Sequence, residues 1–182
     1  MELSLAFVAI FLLQGTMVLL SYGFYAPSYD MWAILRDPVI FKIWSVSATS
    51  AAVSFLLFTI YVFLNIDDTT ASHSDKLLLF YAYVMFLFGS QLYMPFAASK
   101  FVVLTLLVLA IVAASTIYMV YISYILFGWN YTSICILFLA IHCTLFDFVV
   151  WGYSWYSEMT QNEGEYVDIE PNENNINPLI YC

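Results

Sequence analysis

The sequence predicts an all-helical integral membrane protein, a bundle of about five transmembrane helices. Of its 182 residues, 64% are hydrophobic and 9% are charged, whereas soluble domains are roughly 45–50% apolar and about 25% charged. The apolar residues also fall into five runs, each long enough for the roughly 20 residues that a bilayer-spanning helix needs. These runs cover residues 3–22, 39–64, 77–97, 101–127 and 131–156. Four spans is the alternative, because apolar runs mark the presence of a helix better than its ends.

The first apolar run and the loop after it carry separate signals. The run starts with Glu2 and has no basic segment before it, so it is interpreted as a retained helix and not as a cleaved signal peptide. In the loop, Ser28 is suited to cap a short helix and Trp32 is suited to the headgroup level. The sequence therefore predicts a short interfacial helix before the second span.

Small residues mark where the second and fourth spans approach other helices. Ser47 and Ala51 lie four residues apart in the second span, and Ala110 and Ala114 do so in the fourth. Small residues at this spacing let the backbones of membrane helices come close together. We expect both stripes to be packing faces.

The chain after the fifth run has a different composition. Residues 157–182 contain six acidic residues, five asparagines and no basic residue, so they cannot bury enough apolar surface to fold alone. The sequence predicts a disordered acidic tail. Within it, residues 166–169 read Tyr-Val-Asp-Ile, a tyrosine-x-x-bulky pattern that predicts binding to a sorting adaptor.

The basic residues predict how the chain is threaded. With five spans, Arg36, Lys42 and Lys100 share one side of the membrane with the tail, and Lys76 lies on the other side. Cytoplasmic loops carry the excess of lysine and arginine. We therefore expect a cytoplasmic C-terminus and an N-terminus outside, in a membrane that the sequence does not identify.

Asp147 is the most informative polar residue, because it lies in the middle of the fifth apolar run. An ionised aspartate near the bilayer centre costs about 3 kcal/mol on insertion scales. At a similar depth lie Gln14, Lys42 and Gln91, which predicts a polar cluster between the helices with Lys42 as the basic partner. Alternatively, these groups only hold the helices together by hydrogen bonds of about 0.6 kcal/mol each.

His142 precedes Asp147 by five residues. On an α-helix this spacing rotates one side chain from the other by roughly 140°. We therefore expect that the two residues do not share a face and do not form a dyad. Thr144 is expected on the same face as Asp147, with its hydroxyl bonded locally.

Four short motifs resemble those of the translocator protein and tryptophan-rich sensory protein family, whose members are five-helix membrane proteins of similar size. Residues 27–29 read Pro-Ser-Tyr, and residues 38–44 give an aromatic entry into the second helix. Residues 91–96 read Gln-Leu-Tyr-Met-Pro-Phe, and residues 147–151 read Asp-Phe-Val-Val-Trp. The sequence departs from the family pattern by tyrosine in place of tryptophan at position 93 and aspartate in place of asparagine at position 147.

The resemblance implies a pocket between the helices for a flat apolar ligand such as a porphyrin or a sterol. No other cofactor and no metal is expected. The predicted ligand-binding residues are Trp44, Gln91, Tyr93, Pro95, His142, Asp147 and Trp151.

Three functions are compatible with these features. The first is a membrane protein that binds or senses an apolar ligand. The second is a small proton-coupled transporter that uses Asp147 with Lys42 or His142, since ionisable groups inside the membrane often mark transport pathways. The third is a non-catalytic scaffold, as a homodimer or a subunit of a membrane complex. No enzyme and no nucleic-acid partner is expected, because the chain has no metal-binding histidine motif, serine elbow or phosphate loop.

Overall fold

A computed structural model of the protein describes residues 3–25 and 33–165, which form helices and no strand. A short 3₁₀ helix at Ala33–Arg36 precedes the second long helix. The fifth long helix changes from α to π geometry and back, and its middle part is called the π segment here. The elements are α1 (Leu3–Tyr25), α2 (Pro38–Asn65), α3 (His73–Ala98), α4 (Val102–Phe127), α5 (Tyr131–Ile141), the π segment (His142–Gly152) and α6 (Tyr153–Glu165).

In this part of the chain, five helices are long and apolar enough to cross a membrane, as predicted. Their outer faces expose large apolar side chains, such as Leu19 at 75% and Val103 at 78% of the side chain's full area. Water would solvate such a surface poorly, whereas lipid chains suit it. These features fit an integral multi-pass membrane protein, and the prediction of five helices long and apolar enough to span a membrane is confirmed.

The helices form a ring in the order α1, α2, fifth helix, α4 and α3. The closest pair is α3 with α4, joined by a short turn in which Lys100 has a φ of 58°. A Cβ atom at Gly89 would lie 2.6 Å from Cγ2 of Val112, so this approach requires glycine. By contrast, α1 packs mainly against α3 and touches α2 little. The ring is therefore loosest between α1 and α2.

Polar side chains fix where three of the helices begin. Asp37 Oδ1 accepts hydrogen bonds of 2.8 and 3.0 Å from two backbone N–H groups at the start of α2. Ser72 does the same for α3 with a 3.1 Å hydrogen bond, and Asn130 for α5 with bonds of 2.9 and 3.2 Å. These side chains satisfy backbone donors that have no partner within the helix.

The start of α1 is held by the loop between α2 and α3. Asp67 Oδ2 accepts a hydrogen bond of 3.3 Å from the backbone N–H of Ser4. Hydrogen bonding from the Ser4 side chain, and then from the backbone of Ser4 and Leu3, lowers the pKa of Asp67 below its ordinary value. This carboxylate stabilises the α1 terminus above the ordinary pKa of an aspartate, and the stabilisation is lost as pH falls through the lowered pKa.

The fifth helix continues beyond Tyr156, where the sequence places the end of the apolar run. Residues 157–165 are helical and not the start of a disordered tail. This end is packed against the bundle, because Trp155 is only 1% exposed. In addition, the Glu158 carboxylate lies 3.0 Å from the Arg36 guanidinium. Residues 166–182 with the tyrosine pattern, and residues 26–32 with Ser28, Trp32 and the Pro-Ser-Tyr motif, lie outside the described residues.

Candidate functional site

A cavity of about 610 Å³ lies between α1, α2, α3 and the fifth helix. Most of its wall is apolar, formed by residues such as Phe11, Phe55, Phe86 and Leu139. Proteins bind small molecules in clefts of roughly 300–1,000 Å³ whose walls are mainly apolar and carry a few polar groups. This cavity has that size and that kind of wall.

Five aromatic or ionisable side chains of the wall form what is called the polar end here: Tyr22, Trp44, Tyr93, His142 and Asp147. They come from the last turns of α1 and α3, the first turns of α2 and the π segment. Because successive helices run in opposite directions, these positions meet at one level of the bundle. That level lies on the side of Arg36 and α6.

Asp147 is the centre of the polar end and is 8% exposed. Its Oδ1 atom accepts a 3.1 Å hydrogen bond from the indole N–H of Trp44 and lies 3.4 Å from His142 Nε2. His142, 6% exposed, has Ser47 Oγ 3.0 Å from its other ring nitrogen, Nδ1. Two helical segments, α2 and the π segment, therefore meet in one chain of polar contacts.

The hydrogen bond between Ser47 Oγ and His142 Nδ1 can run in either direction. If the Ser47 hydroxyl donates to Nδ1 of His142, the imidazole is neutral and carries its proton on Nε2, facing Asp147 Oδ1. If Nδ1 instead donates to Ser47 Oγ, His142 and Asp147 form an ion pair. In both arrangements the N–H groups of Trp44 and His142 are directed at Asp147 Oδ1. Buried charges persist where such partners are present.

The π segment explains why His142 and Asp147 meet. In a π-helix each N–H bonds to the carbonyl five residues earlier, so residues five apart stack on one face. The expectation that the two side chains point roughly 140° apart assumed α geometry and is wrong for this segment. Gly152 follows Asp147 by five residues and shows the same spacing, because a Cβ atom at Gly152 would lie 3.3 Å from the backbone oxygen of Asp147. π-helical turns inside α-helices occur frequently at functional sites.

A series of aromatic contacts packs against the polar end. The hydroxyls of Tyr22 and Tyr93 are hydrogen-bonded to each other, and the two rings are edge to face at 5.8 Å. The ring centroids of Tyr93 and Trp151 are 5.9 Å apart, and Trp151 stacks on Trp155 with a centroid distance of 5.7 Å. Buried aromatic pairs of this kind contribute about 0.5–1.5 kcal/mol beyond the area they bury. Trp151 therefore positions Tyr93 without lining the cavity itself.

The predicted site residues divide into two groups. Trp44, Tyr93, His142 and Asp147 all lie on the cavity wall, close together. The wall does not include Gln91, Pro95 or Trp151.

The predicted polar cluster differs from the observed one. Lys42 is exposed and does not contact Asp147. It precedes Trp44 by two residues, which on an α-helix turns it roughly 200° away from the side that Trp44 presents to the cavity. Among the described residues, Oε1 of Gln14 and of Gln91 is buried without a hydrogen-bond partner, and the Thr144 hydroxyl likewise lacks the local bond expected for it.

Tyr22 and Ser47 were not predicted as part of the site. Ser47 follows Trp44 by three residues, and Ala48 and Ala51 follow on the same face. Residues at this spacing share one side of a helix, so the signal was present and was interpreted as a packing face. Tyr22 lies at the end of an apolar run, where a tyrosine is typical of the membrane interface.

The order Ser47, His142, Asp147 is also that of a hydrolytic triad. However, Ser47 does not line the cavity. It also lies inside α2, where the backbone N–H groups are already donated to carbonyls. No donor pair is thus left beside Ser47 for an oxyanion. Over the described residues no group of three or more His, Cys, Asp or Glu side chains could hold a metal ion.

Comparison with protein-family models, with curated proteins and with solved structures finds no match to this chain. The site is therefore interpreted from its own geometry.

The contact between Trp44 and Asp147 is testable by a double-mutant cycle. We expect Trp44→Phe and Asp147→Leu to be coupled by about 0.6–1.7 kcal/mol in the free energy of unfolding, the range seen for hydrogen bonds between membrane helices. Unfolding of the purified protein in mixed micelles measures it. The matched control pairs Lys42→Leu with Asp147→Leu and should show no coupling. A coupled lysine and an uncoupled tryptophan would contradict the site described here.

Proposed function

We propose that this protein binds or senses an apolar small molecule of the porphyrin or sterol class in the cavity between its helices. The observation that carries the proposal is the cavity itself, about 610 Å³ with apolar walls and hydrogen-bonding groups at one end. Apolar walls favour a hydrophobic body by removing it from water, and the few polar groups fix its orientation. We propose no catalytic step at this site.

The loose contact between α1 and α2 supports entry from the bilayer. Leu12 and Leu19 of α1 and Thr49 and Ala52 of α2 line the cavity and are also exposed on the outer surface. An apolar ligand dissolved in lipid would reach the cavity between these side chains without crossing water. This route suits a ligand that partitions into membranes.

The resemblance to the translocator protein and tryptophan-rich sensory protein family also supports this proposal. It implied a ligand pocket near Trp44, Tyr93, Pro95 and Asp147. Of these residues, Trp44, Tyr93 and Asp147 share the wall of the cavity, and Pro95 does not line it. For the threading, we propose a cytoplasmic C-terminus and an N-terminus outside. Three of the four basic residues lie on the side of the C-terminus, as this threading requires.

Ligand binding can be tested with a cavity-filling variant. Cholesterol and protoporphyrin are titrated into purified protein, and quenching of tryptophan and tyrosine fluorescence reports binding. We expect saturable binding that Ala48→Phe weakens at least tenfold, because Ala48 lines the cavity and the added ring would occupy it.

The matched control is Ala114→Phe, which changes an exposed position of α4 that faces away from the cavity. It should bind both ligands as the unaltered protein does. Well-folded protein that binds neither ligand, or equal affinities for the two phenylalanine variants, would contradict the proposal.

A proton-coupled carrier is the second candidate, favoured by the contact between His142 and Asp147. Adjacent ionisable groups inside a membrane often form proton relays. This candidate predicts that Asp147→Asn abolishes proton flux into liposomes containing the protein, measured with an entrapped pH-sensitive dye, while the far-ultraviolet circular dichroism is unchanged. Flux that is equal in both proteins, or absent from both, would exclude it.

A further inference from the structure

The described wall of the cavity carries one carboxyl group and one imidazole, and no lysine or arginine. Asp147 lies on its wall, and none of the lining residues is lysine or arginine. Lys42, the basic residue nearest in sequence to the polar end, is exposed and turned away from it. Asp147 is the one carboxyl group among the described lining residues.

The contacts at the polar end fall on one oxygen of the Asp147 carboxyl group. Trp44 Nε1 and His142 Nε2 both approach the same carboxylate oxygen, Oδ1. Among the described residues, no hydrogen bond reaches Oδ2 of Asp147. One carboxylate oxygen is therefore left for a partner that the described residues do not supply.

Aromatic side chains line the cavity at the same end as this carboxyl group. Trp44, Tyr22 and Tyr93 line the cavity beside Asp147. The faces of such rings attract a cation within about 6 Å, and the attraction increases when the cation is desolvated. A carboxylate beside several aromatic rings is a site for an organic ammonium ion.

We propose that the ligand of this cavity is a lipophilic amine, with its protonated nitrogen at Asp147 and its apolar body along the wall formed by Phe55, Phe86 and Leu139. This inference rests on the proposed function and narrows its ligand class. A fused-ring body of the sterol kind fits it when the body carries an amine. A ligand carboxylate would instead meet the charge of Asp147, and like charges at close range repel strongly where water is excluded.

The charge preference can be measured with three ligands that differ in one group. Dehydroabietylamine, dehydroabietinol and dehydroabietic acid share one fused-ring body, and at pH 7 an aliphatic amine with a pKa near 10.4 is protonated. We expect the amine to bind the purified protein at least tenfold more tightly than the alcohol, and the acid to bind most weakly. The Ala48→Phe variant, whose cavity is filled, measures how much of each ligand partitions into detergent. This background is subtracted from the signal of the unaltered protein.

Two variants assign the preference to Asp147. In Asp147→Asn the difference between amine and alcohol should disappear, whereas Lys42→Gln, outside the cavity, should keep it. Should Asp147→Asn fail to fold, the ligand series on the unaltered protein still decides. A second comparison, of octadecylamine with octadecanol, shows whether the occupant is a flexible lipid base or a fused-ring amine. Tighter binding of the amine than of the alcohol in either series supports the proposal.

Equal binding of amine and alcohol in both series, or a preference that persists in Asp147→Asn, would overturn this proposal. If cholesterol still bound saturably in that case, the ligand-binding function would stand and only the amine would be wrong. If neither cholesterol nor any probe bound, both proposals would fall together.

Discussion

The contact between His142 and Asp147 is the interaction on which the cavity depends. A carboxylate at this depth is unfavourable unless donors surround it, and here the donors come from Trp44 on α2 and from His142 on the same helix. Ser47, also on α2, holds the far nitrogen of the imidazole. The polar contacts thus join α2 to the fifth helix and at the same time place a charge at the end of the cavity. Replacing Asp147 with an apolar residue would remove the acceptor of the 3.1 Å hydrogen bond from Trp44, and the loss of a buried hydrogen-bond partner costs about 1–3 kcal/mol.

The packing of the other helices determines which side of the bundle is open. Gly89 brings α3 against α4 closely enough that a single added carbon would collide with Val112. On the opposite side of the ring, α1 packs against α3 and leaves the cavity between itself and α2. In a bilayer, helices gain little by burying apolar surface against one another, because lipid chains are equally apolar. A loosely packed α1 therefore costs little, and α1 is the helix best placed to move when a ligand enters.

The sequence predicts the fold better than the site, for reasons that particular residues show. The five spans follow from apolar length alone, which is nearly sufficient evidence in a membrane. Trp44, Tyr93, His142 and Asp147 were predicted from ionisable character and from a family resemblance, and they lie together. Their partners were not predicted, because partner assignment needs the helix faces. Lys42 shares the depth of Asp147 but not its side, and His142 shares its side only through π geometry. No apolar periodicity reports a π segment, since the rule of 3.6 residues per turn assumes that none is present.

The most direct test of this account is the distance between the imidazole of His142 and the carboxylate of Asp147 in a lipid bilayer. Solid-state NMR on protein with ¹⁵N in histidine and ¹³C in the aspartate carboxyl measures it as a dipolar coupling. His142→Gln removes the buried histidine, and His73 remains as the exposed one for comparison. Nε2 lies 3.4 Å from Oδ1, so the account predicts a measurable coupling between the histidine ¹⁵N and the carboxyl ¹³C. This coupling should disappear in His142→Gln. The absence of a coupling in the unaltered protein, as for two side chains roughly 140° apart on an α-helix, would contradict the π segment and the site built on it.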